Sequence, residues 1–466
     1  MKRRISKAHA SLAAFVGAFL FLVMAGTALP QSIASRVTEK VFSNGLKVIL
    51  LEDHKAPVAT FQVWHRVGSR NEEWGKTGIA HLLEHMMFKG TKTVSGADFS
   101  RIIAENGGNE NAFTSQDFTA YFENMSADRI GIAIKLEADR MRNLVLKEDD
   151  FLTERMVVLE ERRMRTEDDP QAYLMEQLQA AVFQTSPYHW PTIGWEGDLK
   201  RLTVDDLVAF YDLHYNPVNA FIVAVGDFRA EEMLREIEGA FEPIEKGVLS
   251  EQKRDVDPPQ TGERRIRVER EAQLPLIVMA YHVPTIADAD GYVLEVIAAL
   301  LSGGKSSRLY KTLVREKKIA LSVDAENSLL SKDPSTFVLS MQPLSGKNLK
   351  MAEDALNNEV EKLQRQLVSD NELKKSKVQI EAEFVYSQQS VFSQAMVLAQ
   401  HEIASDWRKV DDYIPMIEKV TPEDIKRVAR AYLVPKNRTV GVLVPLPPTG
   451  KRPVASTPAT GSQMIR

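Results

Sequence analysis

Apolar and polar positions alternate along short stretches of this chain and recur every three or four residues along others. Strands and helices are therefore both expected. Strand-like runs lie at Thr60 to Val67, Ala220 to Val225, Leu276 to Val283 and Thr439 to Val444. Asn44-Gly45, set between Val41-Phe42 and Leu46 to Leu50, is a hairpin signal. Gly107-Gly108-Asn109 turns into a second β-favouring stretch that ends at Thr119 to Phe122. The segment from Phe151 to Arg162 has helical spacing, with Glu154, Val157, Val158 and Glu161 on one stripe and Glu160 facing away. The mixture predicts an α+β fold in which helices pack on one face of largely antiparallel sheets.

The pattern also repeats. Leu202-Thr203-Val204-Asp205-Asp206-Leu207 opens a helix that leads through Asn216-Pro217-Val218-Asn219 into a strand. The same layout returns without a gap, Thr203 falling on Thr421, Asp206 on Asp424, Pro217 on Pro435 and Asn219 on Asn437. Both threonines suit a helix N-cap with acidic residues in the first turn. The period is that of a duplicated domain, not of a short solenoid repeat. A polar, Pro-containing segment at 246–264 is the expected linker between halves at 37–245 and 265–445. Residues 446–466, rich in Pro, Thr, Ser and Gly, read as a disordered tail.

Residues 1–34 read as an address and not as fold. Lys2, Arg3, Arg4 and Lys7 precede an apolar run from Leu12 to Ala28, with small residues following at Gly26 to Ala28 and Ser32 to Ala34. A secretory signal is expected, with an uncleaved anchor as the alternative. This predicts a periplasmic or secreted protein of a bacterium, membrane-anchored only if the segment is retained. The chain has no cysteine, which excludes disulfides, thiolate metal ligands and a cysteine nucleophile. No Gly-x-Ser-x-Gly elbow is present either. A net charge of −5 and the lack of a basic-aromatic patch argue against a nucleic-acid partner.

The chemistry concentrates at His81-Leu82-Leu83-Glu84-His85, in a chain with only 9 histidines. On a helix, His81 and His85 project from one face, as two ligands of one zinc ion require. Glu84 stands beside them as a candidate base toward a zinc-bound water. A third ligand must come from elsewhere. The Glu154/Glu161 stripe is the best candidate, since two carboxylates on an otherwise apolar face are costly to bury without a cation.

The order H-x-x-E-H, followed after seventy-five residues by Glu161, resembles the pitrilysin/insulinase family of metallopeptidases. The likeness is greatest to its shorter branch, which includes the mitochondrial processing peptidases. The resemblance implies that His81, His85 and Glu161 bind one zinc ion per chain, that Glu84 is the general base, and that Glu154 supports the site. It also implies two similar halves, of which only the first holds metal. The helix following Ala289-Asp290-Gly291-Tyr292 reaches Leu300 to Gly304 without a histidine, as that reading requires. Asn111, Ala112 and Phe113 match a sheet-edge strand that takes up extended substrate by β-augmentation.

One departure stands out. The branch often carries an Arg and a Tyr in the second half that hold the substrate. Arg315 matches the first, but Leu321 occupies the tyrosine position. A leucine supplies no phenol hydrogen bond to a substrate carbonyl. A related subunit could supply the missing pair, or a homodimer or monomer could dispense with it. The resulting expectation is a zinc metalloendopeptidase acting on extended peptides or unfolded segments. The alternative is a non-catalytic core or assembly subunit that keeps the fold; such relatives generally lose the ligands that this chain retains.

Overall fold

The computed structural model describes residues 32–249, 257–346 and 348–447. Most of the expected leader, part of the linker and nearly all of the expected tail lie outside the described residues. Two sheets organise the chain. Strands β1 (Val37–Val41), β2 (Lys47–Glu52), β3 (Val58–His65), β4 (Asn109–Thr114), β5 (Thr119–Ser126) and β6 (Ala220–Gly226) form the first, in the order β1-β2-β6-β3-β5-β4. Strands β7 (Arg264–Glu271), β8 (Leu276–Val283), β9 (Ala320–Asn327), β10 (Ser335–Pro343) and β11 (Arg438–Leu446) form the second, in the order β7-β11-β8-β10-β9. Setting β2 on β7, β6 on β11, β3 on β8, β5 on β10 and β4 on β9 reproduces one order in the other, down to the single parallel pair in each. Among the described residues, only β1 has no counterpart. The duplication expected from Thr203/Thr421 is therefore a duplication of topology.

The expected strands are present, with one shifted. β3 ends at His65 rather than Val67, with the Arg66 N–H still donating to the Asn219 carbonyl at 2.8 Å in the register that β3 keeps with β6. The Asn44-Gly45 turn joins β1 and β2 as a hairpin, Gly45 taking φ 89°, where a side chain would be strained.

In the first half, helices α1 (Ile79–Met86), α2 (Ile130–Asn143), α3 (Glu148–Arg162), α4 (Pro170–Val182), α5 (Val204–His214) and α6 (Ala230–Phe241) follow the strands. The second half contributes α7 (Ala289–Ser302), α8 (Leu349–Arg365), α9 (Asp370–Tyr386), α10 (Val391–Ala404) and α11 (Pro422–Tyr432). Both predicted caps form: Thr203 and Asp206 close a capping box on α5, and Thr421 and Asp424 close the same box on α11. Past each helix the equivalent asparagine ties back the chain, Asn219 Nδ2 donating to the His214 carbonyl and Asn437 Nδ2 to that of Tyr432.

Each half's own helices cover one face of its sheet, as expected. In the first half α2 and α6 bury Phe61, Val63 and Ile222. The opposite face is closed by a helix from the other half. Leu398, Ala399 and Ile403 of α10 lie on Trp64, Phe221 and Val223 of the first sheet. Leu174, Leu178 and Val182 of α4 lie on Val278, Ala280 and Leu443 of the second. Each exchanged helix thus buries a stripe whose burial elsewhere would require a partner. Glu402 secures α10 by ion pairs to Lys47 and Arg66, both at 2.6 Å. Among the described residues, no helix is long and apolar enough to cross a membrane.

Candidate active site

Helix α1 has a fixed start. It begins after Gly78, which takes φ 87° and lies against Gly194 so closely that a Cβ would meet the Ile193 carbonyl at 2.6 Å. The buried Glu72 carboxylate caps the start, accepting from Gly78 N at 2.8 Å and Ala80 N at 2.9 Å. Ile79, Leu82, Leu83 and Met86 bury one side of α1, which leaves His81 and His85 on the other.

That other side meets α3. Phe151 and Val158 anchor α3 in the core beneath α1, and its end is held by buried Arg162, which reaches Glu176 through two bonds and the Gly194 carbonyl at 2.7 Å. Glu154 and Val158 are buried and Glu160 is exposed, as expected, but Val157 is 45 % exposed. The stripe is therefore narrower than spacing suggested, and it is carried by the two carboxylates.

Glu161 Oε2 lies 3.4 Å from His85 Nε2 and 3.9 Å from His81 Nε2, and one ligand atom from each residue falls within 4.8 Å of the others. Tetrahedral zinc with bonds of about 2.0–2.1 Å separates its ligand atoms by about 3.3 Å, so these three donors suit the ion. The far oxygen of Glu161 pairs with Arg165 at 2.6 Å. His85 Nδ1 lies 3.2 Å from Glu154 Oε2, and Lys89 holds the other Glu154 oxygen. A carboxylate on the second ring nitrogen is the arrangement that fixes a metal-ligating imidazole.

Electrostatics separates the two imidazoles. Burial, with some help from His85, holds His81 down to about 4, so its ring is neutral near pH 7. Burial opposes charge on His85 as well, but the hydrogen bonds to Glu161 and Glu154 outweigh it and raise its pKa. Glu161 is lowered: its burial is outweighed by His85, His81 and Arg165. Glu84, beside the two histidines, is raised by burial although Thr114 Oγ1 donates to it. A carboxylate raised in this way, beside the ligand histidines, is a candidate for proton transfer.

Thr114 belongs to β4, the edge strand of the first sheet and a direct neighbour of α1. Asn111, Ala112 and Phe113 lie on that edge; Ala112 packs toward α1, while Phe113 turns to the other face against Trp64. Arg315 stands exposed on the turn of helix Tyr310–Glu316 before β9, and Leu321 is exposed at the start of that strand. The structure thus brings His81, Glu84, His85, Glu154 and Glu161 together, and leaves Arg315 outside that group. Sequence reading missed Glu72, Lys89, Thr114 and Arg165. Lys89 and Arg165 carry a local signal, each standing four residues from a site residue on the same stretch of chain.

Residues 47–195 match the model described as Insulinase (Peptidase family M16), and residues 201–380 match the Peptidase M16 inactive domain. The zinc protease PqqE of Helicobacter pylori is 33 % identical over 437 residues, covering 91 % of this chain and 97 % of that protein. The crystal structure of a protease from Helicobacter pylori superposes with a TM-score of 0.84 at 32 % identity, covering 88 % of this chain and 99 % of that one. The periplasmic protease PqqL of Escherichia coli shares the fold at 17 % identity, with a TM-score of 0.76 over 90 % of this chain and 48 % of that one. With two sheets of matching topology, a two-histidine, one-glutamate cluster in the first, and these relatives, the chain belongs to the insulinase (M16) peptidase family.

Proposed function

We propose that this chain is a zinc-dependent metalloendopeptidase that cleaves extended peptides or unfolded segments. The observation that carries the proposal is the convergence of His81 Nε2, His85 Nε2 and Glu161 Oε2 beside Glu84. Those three residues would hold the zinc ion, with Glu154 orienting His85. When bound, zinc supplies Lewis-acid chemistry, making water more acidic and a carbonyl more electrophilic. Glu84 takes a proton from the attacking water and returns it to the leaving amine. Thr114 steadies the Glu84 carboxylate and links it to the edge strand. The backbone of Asn111 to Phe113 pairs with the substrate, which selects unpaired chain over folded protein.

Retention of every ligand favours the enzyme over a non-catalytic core subunit. The basic-then-apolar leader supports export to the periplasm or beyond, with anchoring if it stays attached. Leu321 in the clamp position supports a second, related subunit that supplies the Arg/Tyr pair; the alternative is a homodimer or monomer that dispenses with it. Peptide cleavage by the chain alone, compared with cleavage after adding a related subunit, separates these arrangements. The decisive test of mechanism is Glu84→Gln. It is expected to keep zinc, read by elemental analysis, and to lose about 10²–10⁴-fold in cleavage rate. Unchanged cleavage would refute the role of Glu84.

A further inference from the structure

The second half holds a cleft where the first half holds its metal ligands. Helix α7 follows β8 and leads to β9 as α1 follows β3 and leads to β4. Counted back from Gly90 and Gly304, the left-handed glycines beyond the two helices, His81, Glu84 and His85 fall on Glu295, Ala298 and Ala299. Counted from the first residues of α3 and α9, Phe151 and Val158 fall on Leu373 and Ile380, which are buried in their turn. By the same count Glu161 falls on Glu383. Glu295, Ala298, Ala299 and Glu383 all line a cavity of about 850 Å³. Two alanines in place of a glutamate and an imidazole account for part of that room.

The walls are rich in acceptors. Glu295 stands at the floor, where burial pushes its carboxyl up to about 7 despite a hydrogen bond from Asn327 at 3.0 Å. Glu383 and Glu326 are exposed at the mouth, and among the described residues no Lys or Arg lines the space. Two buried acceptors there have no partner, Asn327 Oδ1 and His401 Nε2. His401 is 3 % exposed, and its Nδ1 lies 2.8 Å from the Val397 carbonyl. The ring proton therefore sits on Nδ1, and burial keeps the ring neutral, so Nε2 presents a lone pair. Buried acceptors left unpaired carry a desolvation cost that a donor-bearing ligand would remove.

We infer that this cleft binds the cationic end of a basic side chain, guanidinium or ammonium, of a peptide lying along β9. Ala325, Glu326 and Asn327 of β9 line the cavity, and β9 is the outer strand of its sheet. A peptide added to that edge would send alternate side chains inward. The loop after β9 lines the same cavity through Ser328 and Ser331 and then fastens to the first half. Lys332 N donates to Asp117 at 3.0 Å and Asp333 N to the Tyr188 hydroxyl at 3.2 Å, so the cleft is braced against the turn that joins β4 to β5. The inference extends the peptidase reading by naming a basic substrate, but its test does not need cleavage.

The test measures binding of fluorescent extended peptides to the full-length Glu84→Gln chain by anisotropy. A peptide containing one arginine should bind about tenfold or more tightly than its citrulline counterpart. The Glu295→Gln/Glu383→Gln pair should abolish that preference. Ala299→Leu, which fills the cleft and removes no carboxylate, should abolish it too. Equal affinity for arginine and citrulline peptides, or a preference that survives both variants, would overturn the inference. So would N-acetylarginine amide binding as tightly as the peptide, since the ligand would then be a free cation. A wild-type chain that discriminates but never cleaves sinks the peptidase reading alone; one that cleaves without discriminating sinks this inference alone.

Discussion

The two halves share a strand order, a capped helix and an edge strand, yet among the described residues only one gathers the atoms a metal needs. In the first, α1 and α3 present two imidazoles and a carboxylate whose donor atoms lie within 4.8 Å. In the second, the same positions on α7 and α9 carry Glu295, Ala299 and Glu383 around a cleft. The backbone is therefore permissive and the side chains decide. Both sheets need the same buried anchors, Phe151 and Val158 or Leu373 and Ile380, whatever lines the space above them.

The strongest way to break this comparison is to exchange the chemistry. His85→Ala should reduce zinc to background and stop cleavage, whereas Glu295→His with Ala299→His should let the second half bind a second equivalent of zinc beside Glu383. Elemental analysis checks both; a graft that binds none would mean the two frames differ at the site. Next in size is the support of His85. Glu154→Gln should weaken zinc about 10–100-fold in a chelator competition, and Lys89→Met, which frees one Glu154 oxygen, should do so by less.

A third contrast is in pH. Glu295 is raised from 4.5 to about 7 by burial, with Glu383 and Glu326 adding repulsion and Asn327 and Tyr413 opposing it. The folded chain therefore holds this proton more tightly than the unfolded one. Its contribution is intact below about pH 4.5 and is lost as pH rises through about 7. Glu295→Gln should accordingly match wild type near pH 4 and exceed it by ~1–3 kcal/mol near pH 8, read by denaturant titration. The His401 ring faces the same cleft, and burial lowers its pKa from the ordinary 6.5. Smallest are the caps: Thr203→Ala and Thr421→Ala should each cost about 1 kcal/mol. Unequal losses would show that one half tolerates fraying of its helix better than the other.

Much of this was legible in the sequence because it is local. A pair of histidines four apart, a threonine three before an aspartate and an Asn-Gly between apolar runs each specify a face, a cap or a turn within a few residues. The long interval from His85 to Glu161 was legible only through resemblance, since spacing alone left Glu154 and Glu161 as equals. The structure separates them, Glu161 facing both Nε2 atoms and Glu154 the far side of His85. The stripe reading failed at Val157, because α3 meets α1 along a narrow line and its neighbouring face stays in water.

By itself the sequence determined the chemistry on offer: imidazole and carboxylate donors on one helix of the first half, no imidazole on the matching helix of the second, and a fold repeated twice. Only the tertiary structure decided that α4 and α10 trade sheets, that Lys89 and Arg165 fix the two carboxylates, and that replacing ligands by alanine leaves an acceptor-lined cleft. The reason is physical. Side-chain periodicity encodes which face of an element is apolar, whereas the partner for that face is chosen by the summed burial of the whole chain.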